Sequence, residues 1–493
     1  MPICNVIVIL IVLRILIKDD KKNIFVKLWS LTIALALIHP QGYLIGVGEN
    51  GFGSVSKFLG GVSFLYSIYY IYSRNIHISF TLMKNLNVYI WVVIVGILIE
   101  LIYPYDGLLL PLQSGKGGWD EYVLGLGGNK VVVNMDIMYT LTLLVGHILY
   151  SCACLVMIKS ICTRLDLILM INKVSEWIKV VIIYGLLELI IKNFFGFTDF
   201  MSRINDVLLG KGGNIAENAS ERIGDGLYTL RGMTSEPSHM VTSLFLFSIC
   251  VIMLNKIYND NPKIQEIIPK SVSDKWLFPA IILAIFSGGF SAILCIGTLL
   301  IIYFIIKKEF SLLPINVLAK RIIVLLMSFF ILCALIYSVM MDFFPYFYNR
   351  LEDAWTIGSS LIANEPVLLS GHSGVGSTYA RFFSIYDLGM SVADRPLFGL
   401  GLGLQWCHDI LISMLSDIGV FGVIAWWRFV KTPRYSGVRY DSLIILMLFF
   451  IWGLPYGLHG AYSRLEFLFI IEATSIYMNG DNYVENLNNN SYI

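Results

Sequence analysis

Long apolar runs recur from one end of this chain to the other, and they constrain its fold more than any motif does. A helix that crosses a membrane needs about 20 largely apolar residues. Candidate runs lie near 2–17, 24–40, 58–73, 87–103, 136–158, 178–196, 240–257, 276–287, 290–306, 321–340, 409–427, 441–458 and 463–478, thirteen in all, with the first, eighth and last short. Residues 276–306 suit one long helix or two short ones, and Gly288-Gly289 followed by Ser291 favours a break. Composition closes the soluble alternatives. Hydrophobic residues make up 57% and charged residues 14%, whereas soluble domains carry about 25% charged residues. Disorder, collagen, a coiled coil and a secreted disulfide scaffold are excluded on the same arithmetic. A net charge of +1 offers no basic field for nucleic acid. The expected fold is an all-α polytopic integral membrane protein with about 12–13 transmembrane helices.

Cysteine adds little. Of the eight, Cys152, Cys154, Cys162, Cys250, Cys295 and Cys333 sit in or beside apolar runs, and no pair has zinc-ligand flanks. Cys152 and Cys154 read as small helix-packing residues. Lys18, Lys21 and Lys22 follow the first apolar run instead of preceding it, and Arg14 lies within it. That order suits a first span with its N-terminus outside better than a cleaved signal peptide.

Lys and Arg accumulate on the cytoplasmic side of short connections. With the N-terminus outside, 22 of the 35 basic residues fall on cytoplasmic connections, from Lys18 through Lys159 and Lys270 to Arg439. The mass then lies outside, in segments near 104–135, 197–239 and 341–408. The expected organisation is N-terminal helices over 1–196, a periplasmic loop over 197–239, and central helices over 240–340. A large periplasmic loop over 341–408, C-terminal helices over 409–478 and a polar cytoplasmic tail over 479–493 follow. Two apolar stripes in the large loop, one through Phe344, Phe347, Tyr348, Leu351 and Trp355, the other through Phe382, Tyr386, Gly389, Met390 and Ala393, read as interfacial amphipathic helices. They either pack on the bundle ends or fence a lipid-linked substrate.

Groups able to do chemistry gather in these outer segments. Arg231, Glu236 and His239 fall within nine residues. If Pro237 occupies the first helical turn, Glu236 and His239 lie on adjacent faces at the mouth of the next span. Such a set binds a phosphate or moves a proton, or else caps a helix with interface-anchoring groups. Gly399, Gly401 and Gly403 form a GxGxG that no strand precedes, so it is not a dinucleotide fingerprint. Glycine there lets backbone approach a ligand or turn sharply into the next helix. Arg381, Arg395, His372 and His408 complete the outer set. Those groups suit a pyrophosphate better than a metal, because the histidines lack ligand spacing and guanidinium groups neutralise diphosphate unaided.

Three patches resemble the O-antigen polymerase (Wzy) and O-antigen ligase superfamily of bacterial membrane glycosyltransferases. Arg231 to His239 is similar to the polymerase pattern of Arg, a small residue, then Glu-Pro-Ser before a span. Phe286-Ser287-Gly288-Gly289 is similar to the family's Ser-containing helical turn. Ser377-Thr378-Tyr379-Ala380-Arg381 and Arg395-Pro396-Leu397-Phe398-Gly399-Leu400-Gly401 resemble its large periplasmic loop. His408-Asp409, followed by Gly419 and Gly422, resembles a pattern of His, an amide or Ser, nine residues, Gly, two residues and a further Gly, Thr or Tyr. Asp409 stands where that pattern has an amide or Ser.

The resemblance implies a GT-C-like helical fold in the bacterial inner membrane, acting at its periplasmic face on an undecaprenyl-pyrophosphate-linked oligosaccharide. It implies no cofactor and no metal, and membrane lipids, a chain-length regulator and a flippase as partners. His408, Glu236 and Arg381 would be catalytic. Arg231, Arg395, His239 and Asp409 would bind the diphosphate or glycan. Glu-Pro-Ser favours the polymerase over the ligase, which delivers glycan to lipid A core. A flippase or other transporter would place ionisable groups mid-membrane and build from repeated halves. Here such residues are few (Glu100, Glu188, Glu472) and no repeat is visible.

Overall fold

The computed structural model describes residues 3–38, 43–45, 52–109, 131–132, 134–209, 222–224, 227–228, 230, 232–234, 237–287, 290–306, 352, 355–360, 363, 384–386, 388–404, 407, 409–433, 440, 444–445, 448 and 461–477. These residues are overwhelmingly helical. The principal helices are α1 (Ile3–Lys18), α2 (Lys21–Ile38), α3 (Val55–Arg74), α4 (Phe80–Ile102), α5 (Ile137–Ile161), α6 (Arg164–Leu189), α7 (Thr198–Leu209), α8 (Pro237–Asp260), α9 (Pro262–Ile267), α10 (Leu277–Phe286), α11 (Phe290–Ile306), α12 (Ile410–Val430) and α13 (Leu465–Tyr477). A π-helical turn, Ile190–Phe194, extends α6. Three short antiparallel ladders pair Tyr43–Ile45 with Phe52–Ser54, Leu108–Leu109 with Val131–Val132, and Arg222–Gly224 with Leu227–Tyr228. They add small hairpins to a fold expected to be wholly helical.

Among the described residues, four helices are long and apolar enough to cross a membrane: α4, α5, residues His239–Asp260 of α8, and α12. The expected break between 276 and 306 is present, since α10 and α11 lie either side of Gly288-Gly289. Residues 384–386 and 388–392 are helical, within the second expected amphipathic stripe. The expected span at 321–340 lies outside the described residues, as does most of that at 441–458.

Helix starts follow from local chemistry. Thr163 and Asp166 form a reciprocal capping box at α6, Asp136 caps α5 through the Tyr139 amide, and Pro237 opens α8. Ser30, Ser175 and Ser248 return their hydroxyls to carbonyls four residues back, at 2.7, 2.9 and 2.8 Å. That satisfies polar groups which lipid cannot serve.

Burial separates the helices by role. In α4 the buried residues are Leu82, Leu86, Tyr89, Val93, Gly96 and Glu100, alternating steps of four and three that make one narrow stripe. Trp91, Val95, Leu98 and Leu101 point away from it and are exposed. The stripe packs on α12. Helix α8 is buried almost all round against α2, α6, α10 and α11. Short α13 is equally buried and touches α2, α5, α6, α8 and α12, so it joins the two halves of the packing.

Helix α12 is broken. Gly419 has φ 62° and ψ −175°, nine residues from the start of the helix, or about 14 Å along it. A non-helical turn inside a span must find partners within the protein. Here residues 396–400 supply them. The amides of Val420 and Phe421 donate to the carbonyls of Pro396 and Leu397 at 2.8 and 3.1 Å, and the Leu400 amide donates to the Ser416 carbonyl at 2.7 Å. Phe398 sets its ring edge-on to Phe421, with centroids 5.3 Å apart.

At the opposite end of α12 from this loop, Lys159 is fully buried. Its ammonium donates to the carbonyls of Val430 and Thr432 (both 2.8 Å) and meets Glu472 at 2.8 Å and the Tyr440 hydroxyl at 2.7 Å. A cation at a helix C-terminus satisfies carbonyls that lack intrahelical donors.

Two outcomes follow for the purified protein in detergent. Gly419→Ala places a methyl 2.4 Å from the Leu397 carbonyl oxygen and forces an alanine to positive φ. It should cost more than ~2 kcal/mol, whereas Gly61→Ala, which meets no atom within 4 Å, should be close to neutral. Thermal melts compare them. Glu472→Leu, which strands the buried Lys159, should cost about 3–5 kcal/mol, and adding Lys159→Met should recover much of that loss.

Candidate functional site

The long connections open at one end of the bundle, where α4 and α6 finish and α5, α8 and α12 begin. Two segments there are held by the same device, a carboxylate buried near the end of a helix.

The first segment leads into α8. The Asn193 side chain pairs with the Tyr228 backbone, accepting its amide at 2.6 Å and donating to its carbonyl at 3.3 Å. The Leu230 amide donates to the Phe286 carbonyl at 3.3 Å. The Gly232 amide donates to Glu188 Oε2 at 2.6 Å, while Glu188 Oε1 pairs with Lys192 at 2.6 Å. Gly232 sits at φ 58°, which favours glycine. Ser287, at the end of α10, donates its hydroxyl to the Ala284 carbonyl at 2.6 Å. Leu230, the residue just before the first sequence patch, is thus bonded to Phe286, the first residue of the second. His239 lies in the first turn of α8, where its carbonyl accepts from the Ser243 hydroxyl at 3.0 Å and the same hydroxyl reaches the Leu37 carbonyl at 2.6 Å. Arg231 and Glu236 lie outside the described residues.

The second segment leads into α12. Arg395 Nη1 meets Glu100 Oε2 at 2.6 Å, and its Nη2 donates to the Pro104 carbonyl at 3.0 Å. Its guanidinium lies over the Tyr105 ring, 5.4 Å from the centroid. Glu100 Oε1 accepts the Tyr105 amide at 2.9 Å, and the Tyr105 hydroxyl donates to Asp394 at 2.8 Å. Gly399, Gly401 and Gly403 all have positive φ, 80°, 122° and 81°. A Cβ at Gly399 would lie 2.4 Å from the Ser416 carbonyl oxygen, and one at Gly401 2.9 Å from Glu100 Cγ. These glycines thus bring backbone against the broken helix and the carboxylate. Thr140 donates to the Leu402 carbonyl at 3.0 Å and pins the loop to α5.

Asp409 is the N-cap of α12, accepting the Ile412 amide at 2.8 Å. Its place is explained by helix capping, and Arg395 is engaged by Glu100. Arg381, His372 and His408 lie outside the described residues.

Sequence reasoning passed over Glu100, Glu188 and Lys192 as site components. A signal was present, since a carboxylate in an apolar run requires a partner. What the sequence withholds is which of many bases that partner is. Among the described residues no three His, Cys, Asp or Glu side chains gather as a metal site. Comparison with family models, curated proteins and solved structures finds nothing that matches this chain.

The Arg395–Glu100 pair predicts strong coupling. Arg395→Gln and Glu100→Gln should each destabilise the protein, and the double variant should lose less than their sum by about 1–3 kcal/mol. A thermodynamic cycle of melts in detergent measures it, and additivity would contradict the pairing.

Proposed function

We propose that this chain is a polymerase that joins undecaprenyl-pyrophosphate-linked oligosaccharide units into O-antigen or capsular polysaccharide. On this reading it is a multi-pass protein of the bacterial inner membrane, with about 12–13 spans and a site facing the periplasm. One observation carries the reading. The residue that leads into the Arg231–His239 patch, Leu230, donates its amide to Phe286, the first residue of a patch distant in sequence, and Gly232 within the first patch is held by Glu188.

In the proposed reaction an acceptor hydroxyl on one lipid-linked unit attacks the anomeric carbon of the growing glycan. The new glycosidic bond forms as the bond from that carbon to the diphosphate oxygen breaks. Undecaprenyl diphosphate departs, and the hydroxyl proton passes to His408 or Glu236. Guanidinium groups stabilise the departing charge. Arg231 and Arg381 take that role. Arg395, neutralised by Glu100 and turned onto the Pro104 carbonyl, holds the loop instead. His239 and Asp409 support the two segments at their helix starts. The expected partners remain a flippase, a chain-length regulator and membrane lipids.

Deletion of the gene in its native host tests the reading. Loss of the polysaccharide ladder with a single repeat unit still attached supports the polymerase. Loss of every attached unit while lipid-linked polymer accumulates would replace it with the ligase. Accumulation of single lipid-linked units on the cytoplasmic leaflet would replace it with a flippase.

A further inference from the structure

Glu188 lies near the end of α6, fully buried, in a stretch that is otherwise apolar. A lone ion pair with Lys192 would occupy one of its oxygens. The other oxygen faces the backbone amide of Gly232, forty-four residues away in sequence, at 2.6 Å. A charge-assisted bond of this kind is short and directional. It is also the last of three successive anchors, after Asn193 to Tyr228 and Phe286 to Leu230. The residues on both sides of position 231 are thereby tied to helices.

We propose that Glu188 is a positioning residue. Through the Gly232 amide it fixes to α6 the backbone next to Arg231, while Lys192 pairs with the other carboxylate oxygen. The catalytic consequence rests on the polymerase reading, whereas the anchoring itself does not.

Two charge-free double variants separate anchoring from simple ion pairing. Glu188→Gln with Lys192→Gln retains a side-chain oxygen for the Gly232 amide. Glu188→Leu with Lys192→Met retains bulk and offers no acceptor. Replacing a buried ion pair by apolar residues of similar volume often leaves a protein folded, so both should be recovered from membranes in normal yield. Residue-resolved hydrogen exchange in detergent should show Gly232 protected in the wild type and the Gln/Gln variant. It should exchange at least tenfold faster in the Leu/Met variant. Polymer should persist with Gln/Gln and be lost with Leu/Met at equal protein level.

Unchanged exchange at Gly232 in the Leu/Met variant would overturn the proposal, and so would full-length polymer from that variant. If neither variant folds, the wild type still decides: a Gly232 amide exchanging at open-chain rates refutes the anchor, and a protected one supports it. If the wild type joins no repeat units at all, the functional reading fails, and the exchange rates alone decide whether Glu188 holds Gly232.

Discussion

A carboxylate inside a lipid-facing bundle must be paired, and this structure is arranged around three such pairings. Glu100, Glu188 and Glu472 are each within 2.8 Å of a base, Arg395, Lys192 and Lys159 respectively. Each pair also engages backbone. Glu100 takes the Tyr105 amide, Glu188 takes the Gly232 amide, and Lys159 takes two carbonyls at the end of α12. Isolated charges here would cost several kcal/mol each. The pairings turn that cost into a specification of which loop meets which helix. Two of them fix the segments that approach the candidate site, and the third fixes the far end of the helix that one of those segments enters.

This arrangement separates holding from reacting. The bases of the three locks are each engaged by a carboxylate of the protein itself. Rigid helices hold the described ends of both connections, and the loops between are where a site has room to vary.

The helices were legible because apolar runs and their ends are local properties. Pro237 opens α8, and the chain divides at Gly288-Gly289, as residue chemistry requires. The break in α12 was not legible as a break. Residues 409–427 read as one continuous apolar run, and an interior glycine is compatible with an unbroken helix. The loop at 396–400, which precedes the helix, supplies the hydrogen bonds that stabilise the unwound turn. Likewise the pairing of Arg395 with Glu100, 295 positions earlier, follows from no local pattern. The GxGxG was read as letting backbone approach a ligand or turn sharply, and the close approaches at Gly399 and Gly401 are to α12 and to Glu100 of the protein itself.

The break at Gly419 also bears on how the chain is inserted. The pieces on either side, Ile410–Ile418 and Val420–Val430, are each about half the length a membrane span requires. Left alone in lipid, the turn between them would expose amides and a carbonyl that nothing there can satisfy, at several kcal/mol apiece. The groups that satisfy them come from the loop just ahead of α12, itself clamped to α4. A crossing by α12 thus requires α4 and that loop beside it, so the last of the three to be made depends on the two made before it.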